Sequence, residues 1–505
     1  MLLGIDLGST SVKAVLYDTA GNAAAQDSTP MRRFHPSDVH PEWTVWEPAA
    51  LWDDVAAVCR NVISAAGNAA VIKGIAVTGM GVDGLPMTDD GTALYPLISW
   101  LDPRTEHQYE WWMNNIGSEI TYRIGGNPVW AMNSACRMLW IKENEPDIFR
   151  RTYKWLLIED FINYRLTGRF ATDYSMASYT MLFDKKRRCW SDELSRLADI
   201  PAAILPEILP SSSFLGTVTA AAAKKTALKE GTPVYLGGND HICSSLPVGA
   251  FREGCIMNIT GTWETVCLVS PTPPEDTALG ESGIMTQANV LSDRYTIWGG
   301  NPAGEMIEWY RRSVAAALET KQTPDWDALI AAAQESPPGC GGVMFLPHLD
   351  GCKCPWVDPR SRGAFIGLNT RTSHSEMFRS VIEGLGYQIL TVIRLMEASV
   401  QMQAAELIAT GGGTRNRFWM QNKADMTGLR VRIPAVGEAT VLGAAILAGI
   451  GAGVYRDAED AFVQVGRTGE TLEPNEKLTA FYNARLPLFR SLYEATAPLH
   501  RQNEG

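Results

Sequence analysis

The chain has 505 residues, too many for one hydrophobic core, so two large domains are expected. With 46% hydrophobic and 20% charged residues, its composition is that of an ordinary globular enzyme. A net charge of −12 excludes a general nucleic-acid or anionic-membrane surface, though not a local basic pocket for a nucleotide. No apolar run reaches the ~20 residues needed to span a bilayer, and Asp6 interrupts the first apolar stretch where a secretory leader needs continuity. Nine scattered cysteines, an odd number, fit the reduced thiols of a cytoplasmic protein better than a disulfide framework.

Residues 4–18, GIDLGSTSVKAVLYD, alternate apolar side chains around Gly8, Ser9 and Thr10, which predicts strand, tight turn, strand. Such a turn gathers backbone N–H groups and two hydroxyls into a nest for phosphate oxygens. Asp6, ending the first strand, would face that phosphate and can hold Mg²⁺ there. Lys13, on the second strand, either touches phosphate or faces solvent. A polar stretch over 20–48 ends in PEWTVWEP, where Trp43 and Trp46 are expected to cover part of the domain surface. They are also the one feature compatible with a homodimer interface. A helix follows over 51–65.

The run VIKGIAVTG at 71–79 reads as a buried strand that leads to Gly81 and Asp83 at its carboxyl end. Ligands gather at that edge of α/β sheets. LYPLISWLDPRT sets Trp100, Asp102 and Arg104 at the end of another short strand, and 105–235 read as mostly helical. The strand PVYLGGND at 233–240 delivers Asn239, Asp240 and His241 into a new helix, with a domain boundary placed near 250 (1–250 and 251–505).

The second half opens with IMNITGTWETVC at 256–267, a partial echo of the first hairpin in which Thr260, Gly261 and Thr262 form the turn. The inferred arrangement is two phosphate-holding hairpins facing each other across a cleft. YTIWGG then runs into GNPAGEMIEWYRR, a turn and amphipathic helix. PPGCGGVMFLPHLDG is a strand with glycine breaks, and CKCPWVDPRSRG reads as an exposed loop. His348 and the charges of 358–362 read as surface, and Cys352 and Cys354 lack the further spaced ligands of a zinc site. A helix spans 373–399, and ELIATGGGTRNRFWMQNKADMTG is a strand ending in three glycines before another helix.

Asp240 is the leading candidate for chemistry. A carboxylate at a strand's carboxyl end can take the proton from a substrate hydroxyl as that oxygen attacks phosphorus. The alternative is a helix N-cap, for which Asp is favoured in its own right. Gly411, Gly412 and Gly413, with Asn416 behind them, let backbone approach a flat ring or a ribose closely, or simply start a helix. The small residues Gly443, Ala444 and Ala445 would line such a slot or pack against another helix. Asp83, Trp100, Arg104 and His241 suit a polyhydroxylated ligand, with carboxylate and donor groups for hydroxyls and an aromatic face for C–H surface. Arg104 could equally form a structural ion pair.

These residues together resemble the FGGY carbohydrate kinases over nearly the whole length. The resemblance rests on GIDLGSTSVK, GGND with Asp240, ITGTWE, GAFIGL at 363–368, and GGGTRNRFWMQNKADMTG followed by EATVLGAA. It implies a two-domain α/β protein of the actin/hexokinase-like ATPase fold, with ribonuclease H-like domains and a cleft between them. It implies ATP and Mg²⁺ as cofactors, Asp240 as catalytic base, and Asp6 with Asp240 placing the Mg²⁺ through water. Gly8, Ser9, Thr10, Lys13, Gly261 and Thr262 then match phosphate contacts, and Gly411–Gly413 with Asn416 the adenosine site. Gly81, Asp83, Trp100, Arg104, Asn239, His241 and Asn301 match substrate positions.

GIAVTGMGVDG, LYPLISWLDPRT and GTWE look like L-fuculokinases, and GVD is also similar to L-rhamnulokinases. The Gln-Met-His-Gly of xylulokinases and the Arg-Glu pair of glycerol kinases are not present in the sequence. Asn239 replaces a residue that is usually Gly, Ala or His, and GCKCPWVDPRSRG departs from the usual Gly-Glu-Arg-x-Pro pattern. The resemblance thus implies a kinase for a primary hydroxyl of a small ketose, L-fuculose-like or xylulose-like. An actin-like ATPase or a sugar-sensing regulator of the same fold is the competing class.

Overall fold

The computed structural model describes residues 1–67, 71–318 and 325–502. The chain divides into two compact units, one of 1–251, 286–296 and 436–467, the other of 252–285, 297–435 and 468–505.

The first unit is built on a six-stranded sheet in the order β5-β6-β4-β1-β2-β3. Its strands are β1 (Leu2–Leu7), β2 (Ser11–Tyr17), β3 (Ala23–Pro30), β4 (Gly74–Gly79), β5 (Phe214–Thr217) and β6 (Pro233–Asn239). β6, β4 and β1 run parallel, and β1 turns back antiparallel into β2. Both faces of these strands are covered, so β1 and β4 read as nearly continuous apolar runs. On one face Leu3, Ile5 and Val77 pack with Val55 and Val62 of the helix Pro48–Ala66. On the other, Leu2, Val15 and Ala76 pack with Ile242 and Leu246 of the helix Asp240–Val248 and with the helix Ala439–Gly451.

That last helix is made of small residues because of what it touches. A Cβ on Gly443 would stand 1.9 Å from the Cys243 carbonyl oxygen, and one on Gly4 2.3 Å from that of Val441. Close helix packing is therefore what Gly443, Ala444 and Ala445 provide in this unit. The region 105–235, expected to be mostly helical, also contains the short strands Lys154–Leu157, Ala171–Asp173 and Glu207–Leu209. They are three- to four-residue pieces too short for a period to reveal.

The second unit carries β7 (Cys255–Thr260), β8 (Trp263–Ser270), β9 (Tyr295–Pro302), β10 (Glu406–Thr410), β11 (Val431–Ile433) and β12 (Glu470–Leu472). They lie in the order β9-β8-β7-β10-β11-β12 within a seven-stranded sheet. β7, β10 and β11 are parallel, and β7–β8 and β11–β12 are antiparallel. This repeats the first sheet strand for strand from the leading hairpin outward. The echo heard in one hairpin thus extends over the sheet.

Three surface expectations are corrected. Trp46 is buried, with its indole N–H donating to Asp83 Oδ2 at 2.5 Å, and Trp43 is half-buried beneath the Arg104 guanidinium. The loop at 352–358 is only partly exposed, at Lys353 and Val357, while Cys352, Cys354 and Asp358 are buried. His348 is fully buried as well, hydrogen-bonded through Nδ1 to Ser361 Oγ at 2.8 Å, and burial pushes its imidazole down to about 3. Polar letters in a Gly/Pro-rich run read as surface. Here Tyr493 and Arg501, 135 and 143 residues on, satisfy the Asp358 carboxylate and allow it to be buried. Among the described residues no helix is long and apolar enough to cross a membrane.

Candidate active site

In the first unit three parallel strands end side by side, and the functional candidates follow from their register. Asp6 on β1 pairs with Thr78 on β4, and Gly79 on β4 pairs with Asn239 on β6. The carboxyl edge of the sheet therefore gathers Asp6, the turn Gly8–Thr10, Gly81 and the Asn239–His241 segment. Gly8 closes its turn by donating to the Ser11 carbonyl at 3.1 Å. Gly81 needs its freedom, with φ of 95° and the Tyr179 ring 2.8 Å from any Cβ.

Asp6 is partly buried, and its Oδ1, shut off from solvent, has no hydrogen-bond partner among the described residues. Burial, then the charge of Asp240, pushes its carboxyl up to about 7. An orphaned oxygen beside a second carboxylate is a natural seat for a cation. Asp240 is the first residue of its helix, one-fifth exposed, and its Oδ1 accepts from the His241 backbone N–H at 2.7 Å. His241 Nδ1 lies 3.7 Å from the same oxygen. Asn239 is buried, its N–H held by Ser175 Oγ at 2.9 Å, its amide N–H₂ reaching the Gly79 carbonyl at 3.4 Å and its Oδ1 unpaired.

Lys13 sits opposite Asp6 in register, but its ammonium is bound by Glu438 at 2.5 Å. Glu438 holds this position in a left-handed conformation, φ 51°, just before the helix Ala439–Gly451. Neither the pair nor that conformation was legible in the sequence.

The remaining sugar candidates fall into two networks. Asp83 is fully buried, with Trp46 on Oδ2 and Arg137 Nη2 3.7 Å from Oδ1, and burial raises its carboxyl to about 6 against the pull of Arg137. Arg137 was missed by sequence reasoning because it sits on a helix whose every neighbour from 134 to 141 is buried. Arg104 forms a bidentate pair with Asp102, at 2.8 and 2.6 Å, between the rings of Trp43 and Trp140. Trp100 is 39% exposed.

In the second unit β7 ends at Thr260, and the turn closes by Gly261 N–H donating to Trp263 O at 3.0 Å. Ala303 and Gly304, just after β9, donate to the carbonyls of Thr262 and Gly261. β10 ends beside β7, with Ile259 opposite Thr410, so Gly411–Gly413 follow directly alongside that turn. Cβ atoms on Gly411 and Gly413 would each stand 2.5 Å from Thr260, whereas one on Gly412 would meet only Arg415 Nη2 at 3.7 Å. Asn416 caps the helix Arg417–Thr427, its Oδ1 accepting from Trp419 N–H at 3.0 Å. Asn301 uses its amide on the loop at 353–354, with Oδ1 accepting from the N–H groups of Lys353 and Cys354 at 3.0 and 3.1 Å. Behind the turn lie Lys423 and Glu264, also missed. Their signal was a lysine on a helix face otherwise buried from Trp419 to Met426.

Three comparisons bear on this geometry. The model of the FGGY family of carbohydrate kinases matches in its N-terminal domain over residues 1–246 and in its C-terminal domain over 256–452. The chain is 30% identical over 468 residues to an L-fuculokinase of Escherichia coli strain K12, covering 92% of this chain and 95% of that one. It is 27% identical to a xylulose kinase of Staphylococcus epidermidis, covering 99% and 97%. The crystal structure of a xylulose kinase from Rhodospirillum rubrum superposes with a TM-score of 0.90 at 28% identity, covering 99% of each chain. The two-sheet α/β architecture, the paired hairpins and these matches agree: the chain belongs to the FGGY family of carbohydrate kinases and is a sugar kinase.

Proposed function

We propose that the protein transfers the γ-phosphate of ATP to a primary hydroxyl of a small ketose, with Asp240 as general base. The observation that carries this reading is the carboxyl edge of β1, β4 and β6, where Asp240 begins a helix close to Asp6 and its unpaired Oδ1. Asp240 takes the hydroxyl proton as the oxygen attacks phosphorus. Its helix position and the His241 N–H hold the accepting oxygen still. Phosphoryl transfer asks little covalent work of the protein, so positioning and electrostatics supply most of the rate.

Asp6, with its orphaned Oδ1, and Asp240 would hold Mg²⁺ through water, which supplies charge neutralisation to the phosphates. Among the described residues no group of three or more His, Cys, Asp or Glu could hold a metal by itself, so phosphate oxygens would complete the ion's shell. In the turns Gly8–Thr10 of one unit and Gly261–Thr262 of the other, Gly8 and Gly261 close the turn and leave Ser9, Thr10 and Thr262 to meet phosphate, and Gly411–Gly413 with Asn416 offer the adenosine surface. The candidate sugar is a 6-deoxyketohexose such as L-fuculose or a ketopentose such as xylulose, which the names of the relatives favour. Nine free cysteines accord with a cytoplasmic setting.

The test is coupled ADP release with Mg·ATP against a panel of ketoses, aldoses and glycerol. One ketose should give turnover that Asp240→Asn loses by about 10³. Turnover surviving in Asp240→Asn would displace the base, and ADP release indifferent to every sugar would overturn the kinase reading.

A further inference from the structure

Lys423 has a side chain wholly shut off from solvent. Its ammonium donates to Asn258 Oδ1 and Thr260 Oγ1, each at 2.6 Å, and to Glu264 Oε1. The Trp419 ring lies 4.6 Å from it. Three donors thus meet three acceptors, the full complement of a protonated amine.

The acceptors come from both strands of the second hairpin. Asn258 and Thr260 are on β7, Glu264 is on β8, and Thr260 and Glu264 are register partners at the last rung before the turn. Thr260 has a second neighbour. Its carbonyl oxygen fills the Cβ position of Gly411 and its methyl that of Gly413, each at 2.5 Å. One residue therefore touches the lysine through its hydroxyl and the glycine loop through its carbonyl oxygen and methyl group. A buried ion pair is a poor source of stability, because desolvation offsets the Coulomb gain. A fully satisfied polar network does fix one geometry where an apolar core would tolerate several.

We propose that Lys423 is a positioning residue for the nucleotide, locking the Gly261–Thr262 turn in register with the Gly411–Gly413 loop. The proposal rests on the reading that both segments bind ATP. It predicts that loosening the lysine misaligns nucleotide contacts and leaves the sugar contacts of the first unit alone.

Lys423→Met alone strands a buried carboxylate, so the charges are removed together in Lys423→Met/Glu264→Leu. That variant should melt near the wild-type temperature, with KM for Mg·ATP raised about tenfold and KM for the accepted sugar within about twofold. Its affinity for Mg·ADP, measured by calorimetry without turnover, should fall in parallel. Thr260→Val removes only the hydroxyl and should raise KM for Mg·ATP about threefold. It carries the test alone if the double variant does not fold. Wild-type nucleotide affinity in these variants, or equal rises in both KM values, overturns the proposal. A wild-type protein that binds no Mg·ADP is a different failure, because it removes the nucleotide reading as well.

Discussion

Asp6 and Lys13 face each other in register across the first hairpin, yet the Lys13 ammonium is held by Glu438, 425 residues away in the chain. Burial first, and then the Asp240 and Glu438 carboxylates set against the Lys13 ammonium, push the Asp6 carboxyl up to about 7. Protons should compete with Mg²⁺ there. The Mg²⁺ concentration for half-maximal turnover is expected to rise about tenfold per pH unit below that value. Lys13→Met should move the midpoint of this response up, and Glu438→Gln should move it down. A response flat from pH 5 to 8 would remove Asp6 from the metal site.

The same group sets a stability expectation of opposite feel. An unfolded chain ionises Asp6 at about 3.9, the native protein only at about 7. The stability this carboxyl contributes is present below the first value and lost as pH rises through the second. Asp6→Asn should therefore raise the melting temperature of the metal-free protein, more at pH 8 than at pH 5. Scanning calorimetry at both values checks the sign.

Gly412 separates a glycine needed by the fold from one needed by a ligand. Its neighbours Gly411 and Gly413 are pressed on Thr260, but a Cβ on Gly412 would make only an ordinary contact with Arg415 Nη2 at 3.7 Å. Gly412→Ala should leave the melting temperature unchanged while raising KM for Mg·ATP. An unchanged KM would mean that this glycine faces no nucleotide.

Arg137 and Asp83 are both fully buried, with Nη2 and Oδ1 3.7 Å apart. Arg137→Met leaves the Asp83 carboxylate without its counter-charge and should cost about 3–5 kcal/mol in urea unfolding. Asp83→Asn, which keeps an acceptor for the Trp46 indole N–H, should cost less. Equal losses would mean that packing, not charge, decides the site.

Gly443 tests the small-residue helix. With the Cys243 carbonyl oxygen 1.9 Å from any Cβ, Gly443→Ala must push two helices apart and should destabilise by about 1–3 kcal/mol. Gly453→Ala, near the end of that helix, meets no neighbouring atom but has φ of 69°, and should cost less.

What was legible in the sequence was whatever is local. The strand–turn–strand pattern of 4–18, the strand delivering Asp240 into a helix, and the glycines between Thr410 and Arg417 are all written in neighbouring letters. Their alignment at one sheet edge follows from parallel register, which α/β patterning predicts in kind. What was not legible is pairing at distance. Lys423 meets Glu264 across 159 residues, and Lys13 meets Glu438 across 425. Asp358 is buried because Tyr493 reaches it. A charged letter reads as surface until its partner is known, and period-based reasoning has no access to the partner.

The helix Ala439–Gly451 lies late in the sequence yet covers the face of β1 and β4. On a ribosome, the first six strands emerge hundreds of residues before the helix that closes their core. Until then Leu2, Val15 and Ala76 are covered only by the helix Asp240–Val248, and the core on that face is incomplete. A chain that leaves its first unit and returns to finish it should not fold from the segment 1–250 alone, and that segment is expected to be less soluble than the full chain.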